Sequence, residues 1–238
     1  MQTLGVIIPV GAHHASLVSD ALHSIAMGSE KPTVVVVVDD HADPPAAQHH
    51  VLELPDVRYA KLEDTRGRSA ARNLGCHLAD TDWFYFLDAD DLLMPTAVTD
   101  WREAIERDPT IQLVYANYRW TFGPSADLAR PYQIRDDVPW DRDVLRRKMI
   151  GNIGMFVRAD RFWAVGGFTP GRDYGEEYDL WLRYALNPAI NVYKHTRPLF
   201  HSRKGLHTVE KAGSHWTQAV AQIAQAVNRG EYAAWESR

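Results

Sequence analysis

The chain has 238 residues, of which 45% are apolar and 24% are charged, so it is an ordinary globular chain and not a disordered or collagen-like one. Its net charge of −5 disfavours a protein that coats nucleic acid. The single cysteine, Cys76, excludes an internal disulfide framework and a cysteine-based zinc cluster, and it fits a reducing compartment. The sequence shows no signal peptide and no apolar run approaching roughly 18 residues, so we expect a cytoplasmic location without a membrane span.

Strands and helices alternate through the first half of the chain. The longest apolar run, five valines over 34–38, is typical of a strand that is covered on both faces. Further strands are predicted over 4–10, 57–61, 83–87 and 113–117. Amphipathic helices are predicted over 17–25, with Ser16 as the cap, and over 69–79 and 96–107. This alternation predicts an α/β fold with a mostly parallel, Rossmann-like sheet flanked by helices.

The regular pattern weakens in the second half. Residues 118–148 are rich in proline and charge, which predicts long connecting segments. After them we expect a strand over 153–157, a short helix over 160–165, a helix over 176–186 and a C-terminal helix over 214–228. The predicted organisation is one continuous, single compact domain with three stretches, 1–117, 118–213 and 214–238.

Three carboxylates, Asp88, Asp90 and Asp91, follow the predicted strand over 83–87. Ligands of open α/β sheets bind outside the carboxyl ends of the strands. Asp88 and Asp90 form a D-x-D motif and would repel each other unless a cation shields them; Mg²⁺ or Mn²⁺ would neutralise the pair and hold a substrate diphosphate. The alternative is that Asp90 or Asp91 only caps the next segment.

A second acidic pair, Asp39 and Asp40, ends the valine strand. Carboxylates at this position can accept hydrogen bonds from a base or a ribose, and they are equally typical of a solvated turn.

Glu176 and Glu177 begin the predicted helix over 176–186, which is apolar nearly all round and therefore buried. At the first turn of a helix they favour the positive end of the helix dipole. We expect that dipole to lower their pKa values and keep them ionised.

Several motifs occur in an order and spacing that resemble the inverting family-2 glycosyltransferases of the GT-A fold. They are Val6-Ile7-Ile8-Pro9-Val10, Val38-Asp39-Asp40, Gly67-Arg68-Ser69-Ala70-Ala71-Arg72-Asn73-Leu74-Gly75, Phe86-Leu87-Asp88-Ala89-Asp90-Asp91 with Pro95, Gly166-Gly167-Phe168, and Gly175-Glu176-Glu177-Tyr178-Asp179-Leu180-Trp181-Leu182-Arg183. The resemblance extends from about residue 4 to residue 186.

The resemblance implies a role for each matching position. A nucleotide-sugar donor, with uracil as the usual base, would contact Pro9, Val10, Gly11, Asp40, Arg68, Arg72, Asp88 and Ala89. Mn²⁺ or Mg²⁺ would be held by Asp90 and Asp88, with His201 or His207 as a further ligand. The general base would be Glu177, where the family usually has aspartate, or its neighbour Glu176. The residues 11–14 also depart from the family, which more often has an aromatic residue and asparagine there.

The resemblance thus implies a metal-dependent, inverting transfer of a sugar from a nucleotide-diphosphate donor, in particular a UDP-sugar, to an acceptor hydroxyl. The stretch 1–117 would bind the donor and 118–213 the acceptor. Aromatic rings stack well on sugars, so Trp140 and Trp181 are candidates for acceptor binding, and packing in the core or in a lid is the alternative. The sequence names neither the donor sugar nor the acceptor.

Two other functions remain open. A haloacid-dehalogenase-like phosphatase also has D-x-D after an apolar strand, but there the motif lies near the N-terminus and is followed by threonine or valine where this chain has Leu92. A non-catalytic module that binds sugar nucleotides or carbohydrates would not require a base.

Overall fold

The computed structural model describes residues 1–11, 13–43, 45–46, 56–134, 139–150, 153–172, 174–205 and 213–232. Within these ranges the strands are β1 (Leu4–Val10), β2 (Val34–Asp39), β3 (Val57–Lys61), β4 (Trp83–Phe86), β5 (Leu92–Leu93), β6 (Leu113–Ala116), β7 (Arg119–Phe122), β8 (Gln133–Ile134), β9 (Met155–Arg158), β10 (Val192–His195) and β11 (Phe200–Lys204).

The helices of the same ranges are α1 (Val18–Ala26), α2 (Gly67–Ala79), α3 (Ala97–Arg107), α4 (Arg142–Leu145), α5 (Ala159–Ala164), α6 (Glu176–Leu186) and α7 (Gly213–Asn228). A 3₁₀ turn over Ala15–Leu17 leads into α1. None of the helices in the described part of the chain combines the length and the apolar character that a bilayer span requires.

Seven strands form the central sheet in the order β10-β6-β9-β4-β1-β2-β3. Neighbouring strands are parallel except at β9, which runs antiparallel between β4 and β6. The chain leaves β1 toward β2 and β3 on one side and later adds β4 on the other. The carboxyl ends of β1, β2 and β4 therefore meet at a topological switch point, where α/β sheets bind their ligands.

A second, smaller sheet has the order β5-β11-β7-β8. Its strand β5 directly follows the acidic segment at the end of β4, and it pairs antiparallel with β11. This pairing brings the second half of the chain against the carboxyl edge of the central sheet.

Apolar layers cover both faces of the central sheet. Alternate residues of β1 and β2 point to opposite sides: Ile8 and Val37 pack with α1 and α3, whereas Ile7 and Val36 pack with α2 and α6. Helix α2 lies close to β1 at Gly75. Glycine permits this approach, since a Cβ at this position would collide with the side chain of Ile7. Burial on both faces explains why β1 and β2 are continuous apolar runs.

The structure confirms the predicted α/β class and the mostly parallel sheet, and α6 has the predicted bounds. Two predictions were wrong, and some strands were missed. The stretch 118–148 contains β7, β8 and α4 and is not only connecting chain. The strands β10 and β11 were not predicted, and Ser16 lies inside the 3₁₀ turn and does not cap α1. Because β9 and β10 join the central sheet, residues beyond 117 share its core.

Candidate functional site

Loops from three neighbouring strands converge at the carboxyl edge of the sheet. Pro9 and Val10 end β1 and are buried, and the carbonyl of Val10 accepts a hydrogen bond of 2.9 Å from the backbone of Asp40. Gly11 follows as the first loop residue. This hydrogen bond joins the carboxyl ends of β1 and β2 at the edge where the donor is predicted to bind.

The acidic pair after β2 stabilises local structure. Asp39 accepts hydrogen bonds from two backbone amides and from the hydroxyl of Tyr59. The two oxygens of Asp40 accept hydrogen bonds of 2.7 and 2.9 Å from the backbone amides of Arg66 and Gly67. Asp40 therefore holds the N-terminal end of α2, as a capping carboxylate does, and its contact with a base stays a prediction.

Residues 88–91, which we call the acidic loop, form a tight turn in which the amide of Asp91 donates to the carbonyl of Asp88 over 3.0 Å. Asp90 and Asp91 are each only 3% exposed, and Ala89 is also buried. His14, in the loop after β1, lies with its Nε2 3.8 Å from Oδ2 of Asp90.

Arg203 of β11 ties this loop to the rest of the molecule. Its Nε donates to the carbonyl of Asp90 over 2.5 Å, and its backbone amide donates to Oδ1 of Asp91 over 3.2 Å. Its Nη1 lies 2.6 Å from Oδ2 of Asp20 on α1. Sequence reasoning did not predict these contacts of Arg203, because only the pairing of β11 with β5 and β7 buries it completely.

Arg72 joins the acidic loop to Glu176 at the start of α6. Its Nη2 lies 2.7 Å from Oδ1 of Asp88, and its Nη1 lies 3.0 Å from Oε1 of Glu176. The side chain is 0% exposed, and its guanidinium stacks over the ring of Phe168 at 5.1 Å. Burial alone would lower the pKa of Arg72, but Asp88 and Glu176 raise it above its usual value.

This arrangement gives Arg72 a role that the sequence did not predict. The side chain is fully buried and bound to two carboxylates, so it positions them, and its contact with the donor stays a prediction. The neighbouring Arg68 is 27% exposed and lies 3.5 Å from Oε1 of Glu176. The contact of Arg68 with the donor therefore stays a prediction.

Glu176 and Glu177 have different environments at the start of α6. Glu176 is 2% exposed and bound to Arg72, whereas Glu177 is half-buried. Burial, followed by the charge of Glu176, raises the pKa of Glu177 from 4.5 to about 7, although Arg72 acts in the opposite direction. The expectation that the helix dipole lowers the pKa of Glu177 was wrong, because burial and a like charge outweigh it.

Helix α2 also fixes the segment that leads into α6. The side-chain amide of Asn73 donates to the carbonyl of Phe168 over 2.8 Å, and its oxygen accepts from the amide of Phe168 over 3.0 Å. Ser69 donates to the carbonyl of Arg172 over 2.7 Å. The motif around Arg72 thus positions the general-base candidates as well as the acidic loop, a role that the sequence reading missed for Ser69 and Asn73.

Asp179 anchors the first turn of α6 on its other side. This buried carboxylate accepts hydrogen bonds of 2.7 Å from Thr169 Oγ1 and from Nη2 of Arg183. It also accepts one from the hydroxyl of Tyr232, which follows α7. Its pKa is lowered, since Arg183 and these hydrogen bonds outweigh the effect of burial. The C-terminal segment therefore supports the helix that carries Glu177.

The structure contradicts the prediction that His201 binds a metal. His201 is 1% exposed; its Nδ1 accepts from Nε of Arg119 over 2.9 Å, and its Nε2 lies 3.0 Å from Oγ1 of Thr121. Burial, together with the charges of Arg119 and Arg203, lowers its pKa to about 4. Both ring nitrogens are engaged within the second sheet. His207, the other predicted ligand, lies outside the described residues.

The two tryptophans that are candidates for acceptor binding pack in or against the core. Trp181 is 0% exposed, with its ring 5.3 Å from those of Tyr115 and Trp140, so its assignment to acceptor binding was wrong. Trp140 is half-buried and packs against the same core, so its contact with an acceptor stays a prediction. The ring of Trp181 is a large apolar surface that the fold buries completely.

Together, these observations describe an α/β domain with a charged site at the carboxyl edge of its mostly parallel sheet. The Glycosyl transferase family 2 model matches residues 6–163, which is about two thirds of the chain. The chain belongs to glycosyl transferase family 2.

Relatives and solved structures agree with this assignment. The chain is 25% identical over 212 residues to an uncharacterized glycosyltransferase of Haemophilus influenzae, covering 84% of this chain and 69% of the relative. It is 25% identical over 225 residues to the O-antigen biosynthesis protein RfbC of Myxococcus xanthus, covering 88% of this chain but 17% of RfbC. It is 38% identical over 84 residues to the succinoglycan biosynthesis protein ExoO of Rhizobium meliloti, covering 34% of this chain and 23% of ExoO.

Among solved structures, a fragment of S. aureus TarS in complex with UDP-GlcNAc superimposes with a TM-score of 0.68 at 14% identity, covering 93% of this chain and 65% of that one. The fold is therefore of the GT-A type. The chain spans between about one sixth and two thirds of the length of most of these proteins. Because the chain belongs to this family, the alternative of a haloacid-dehalogenase-like phosphatase was wrong.

Proposed function

We propose that the chain transfers a hexosyl group from a nucleotide-diphosphate donor, in particular a UDP-sugar, to an acceptor hydroxyl, with inversion and with a divalent metal ion. The observation that carries this proposal is the side chain of Arg72, which joins Asp88 of the acidic loop to Glu176 beside Glu177. Through Arg72, the groups proposed for donor binding and for base catalysis belong to one site.

A divalent ion fits the donor set of the acidic loop. Mg²⁺ and Mn²⁺ prefer oxygen ligands, and nucleotide enzymes commonly hold them with one or two carboxylates plus substrate phosphates. Asp90 would hold the ion, with Asp88 beside it. The described residues contain no group of three or more metal-binding side chains, so the donor diphosphate would supply the remaining ligands. When bound, the ion would stabilise the negative charge of the departing nucleoside diphosphate.

Glu177 is the proposed general base. A base works best when its pKa lies near the working pH, and the pKa of Glu177 is raised to about 7. Its carboxylate would remove the proton of the acceptor hydroxyl, whose oxygen then forms a bond to the anomeric carbon while the bond to the diphosphate breaks. A single displacement inverts the configuration of that carbon. Glu176 is bound to Arg72 and positions the turn that carries Glu177.

The donor and acceptor classes are supported by the similar proteins. One of them is solved with UDP-GlcNAc, which favours a UDP-sugar here. Two relatives are named for O-antigen and succinoglycan biosynthesis, which favours a growing saccharide as the acceptor.

Thermal-shift measurements with UDP-, GDP- and dTDP-sugars, each with Mn²⁺, Mg²⁺ or a chelator, test donor binding. We expect a stabilising shift with a UDP-sugar and metal, since a ligand that binds only the folded state stabilises it. The shift should vanish in Asp90→Ala and persist in the control Asp64→Ala, whose carboxylate is 79% exposed. An unchanged metal-dependent shift in Asp90→Ala would contradict the assignment of the acidic loop.

The assignment of the base is tested separately. Glu177→Gln should keep donor binding but lower transfer by about 10²–10⁴-fold. NMR of the product from the unmodified chain should show inverted anomeric configuration. If Glu176→Gln stops the chemistry while Glu177→Gln does not, Glu176 is the base.

A further inference from the structure

His14 lies at the carboxyl end of β1, next to the acidic loop. After β1 ends, the amide of His14 donates to the carbonyl of Gly11 over 3.1 Å, and the 3₁₀ turn begins behind it as the amide of Leu17 donates to the carbonyl of His14 over 3.0 Å. These two bonds fix the backbone of His14. Its side chain is 17% exposed, and its Nε2 lies 3.8 Å from Oδ2 of Asp90.

The sheet topology causes this approach. Strands β1 and β4 are parallel neighbours, so the loop after β1 and the acidic loop after β4 leave the same edge side by side. The carboxylate of Asp90 is 4% exposed, and its loop is held from behind by Arg203. His14 therefore lies beside Asp90 at the carboxyl edge where the donor site is proposed.

The separation of the two side chains suits a shared metal ion. Imidazole nitrogens and carboxylate oxygens bind divalent ions such as Zn²⁺ at about 2.0–2.2 Å, so two ligands of one ion lie no more than about 4.4 Å apart. The 3.8 Å between Nε2 and Oδ2 falls within this limit.

We propose that His14 Nε2 and the carboxylate of Asp90 bind the same divalent ion, and that the nitrogen ligand makes the site prefer Mn²⁺ and later transition metals over Mg²⁺. The inference rests on the metal-dependent function proposed above and adds a residue that sets metal choice. Mg²⁺ favours all-oxygen coordination, whereas imidazole favours transition metals.

Two other histidines serve as points of comparison. His13 is exposed beside His14 and is a matched control for a change of one imidazole in this loop. His201 has both ring nitrogens engaged by Arg119 and Thr121.

Electron spin-echo spectroscopy of bound Mn²⁺ tests the proposal directly, because an imidazole ligand gives modulation from its ¹⁴N nucleus. The sample is the untagged chain with Mn²⁺ and UDP. We expect ¹⁴N modulation in the unmodified chain and in His13→Gln, and none in His14→Gln. Titrations should show at least about tenfold weaker Mn²⁺ binding in His14→Gln, with Mg²⁺ binding changed less than about twofold because Mg²⁺ prefers oxygen ligands.

A second variant separates the loss of the nitrogen ligand from a folding defect. His14→Asp replaces the nitrogen with an oxygen ligand, so it should bind Mn²⁺ without ¹⁴N modulation and should move the metal preference toward Mg²⁺. Modulation that persists in His14→Gln, or its absence from the unmodified chain with Mn²⁺ bound, would overturn the inference but leave the proposed function standing. Mn²⁺-dependent transfer by Asp90→Ala would instead overturn the proposed function.

Discussion

Replacing Glu177 with glutamine should stabilise the folded chain even as it stops transfer. The pKa of Glu177 is 4.5 in an ordinary environment and about 7 in the folded chain. Between these pH values the folded state holds a proton that the unfolded state has lost, so the free energy of unfolding falls as the pH rises through that window. Glutamine carries no charge, so in Glu177→Gln this residue no longer lowers the free energy of unfolding as the pH rises.

The size of the effect follows from the pKa. The interval from 4.5 to about 7, at about 1.36 kcal/mol per pH unit, corresponds to about 3 kcal/mol. Because Glu177 is half-buried, solvent screening reduces the expected gain to about 1–3 kcal/mol. The gain should be complete above about pH 7 and absent below about pH 4.5.

The adjacent Glu176 provides the matched control, because the same substitution should have the opposite effect there. Glu176→Gln removes one of the two charge partners of the fully buried Arg72. The ion pair of Arg72 with Asp88 remains. We expect a loss of about 3 kcal/mol, the lower end for breaking a buried ion pair. Glu176→Gln also removes a negative charge that raises the pKa of Glu177, so the rising limb of the pH–rate profile should move to lower pH.

Urea denaturation of both variants across the pH range measures these effects, together with pH–rate profiles of the unmodified chain and Glu176→Gln. Equal destabilisation by both substitutions, or a gain in Glu177→Gln that does not depend on pH, would refute the reasoning. A rate profile whose limb stays in place in Glu176→Gln would refute the electrostatic coupling of the two glutamates.

Three further predictions concern the groups around the site. Arg203→Gln should lower the free energy of unfolding by about 3–5 kcal/mol, because it leaves the buried loop around Asp90 without its charged anchor; a urea midpoint within error of the unmodified chain would contradict this. Tyr232→Phe should cost about 1–3 kcal/mol by removing a hydrogen bond to buried Asp179, and protection of α6 amides in hydrogen exchange should fall with it. Trp181→Ala should cost about 3–5 kcal/mol in the same denaturation assay, as a core truncation does; a small cost with selective loss of acceptor affinity would restore the stacking role.

The parts of the fold that the sequence predicted well are those whose burial is complete along the element. All seven residues of β1 and all six of β2 are buried, and α6 is buried on nearly every side, so apolar runs identify them directly. The strands β7 and β11 carry buried Arg119, His201 and Arg203. Such side chains are typical of exposed chain, and only the pairing of these strands with each other and with β5 buries them.

The site divides in the same way. The resemblance placed the acidic loop and the glutamates of α6 in one site, and the structure connects Asp88 with Glu176 through Arg72. That Asp90 and Glu177 line one cleft stays a prediction. The sequence did not predict that Arg72 is the connection, since an arginine in a ligand-binding motif is typical of a phosphate contact. Its burial depends on α2 packing against the segment around Phe168, which no local pattern encodes.

A crystal structure of the chain with UDP and Mn²⁺, with the ion located by its anomalous scattering, is the most direct test of the proposed site. We expect the anomalous peak at the carboxylate of Asp90, with the diphosphate on the same ion and Glu177 lining the same cleft. A UDP molecule bound away from the carboxyl ends of β1 and β4, or an ion without contact to Asp90, would contradict the proposal that one site binds the donor and removes the acceptor proton.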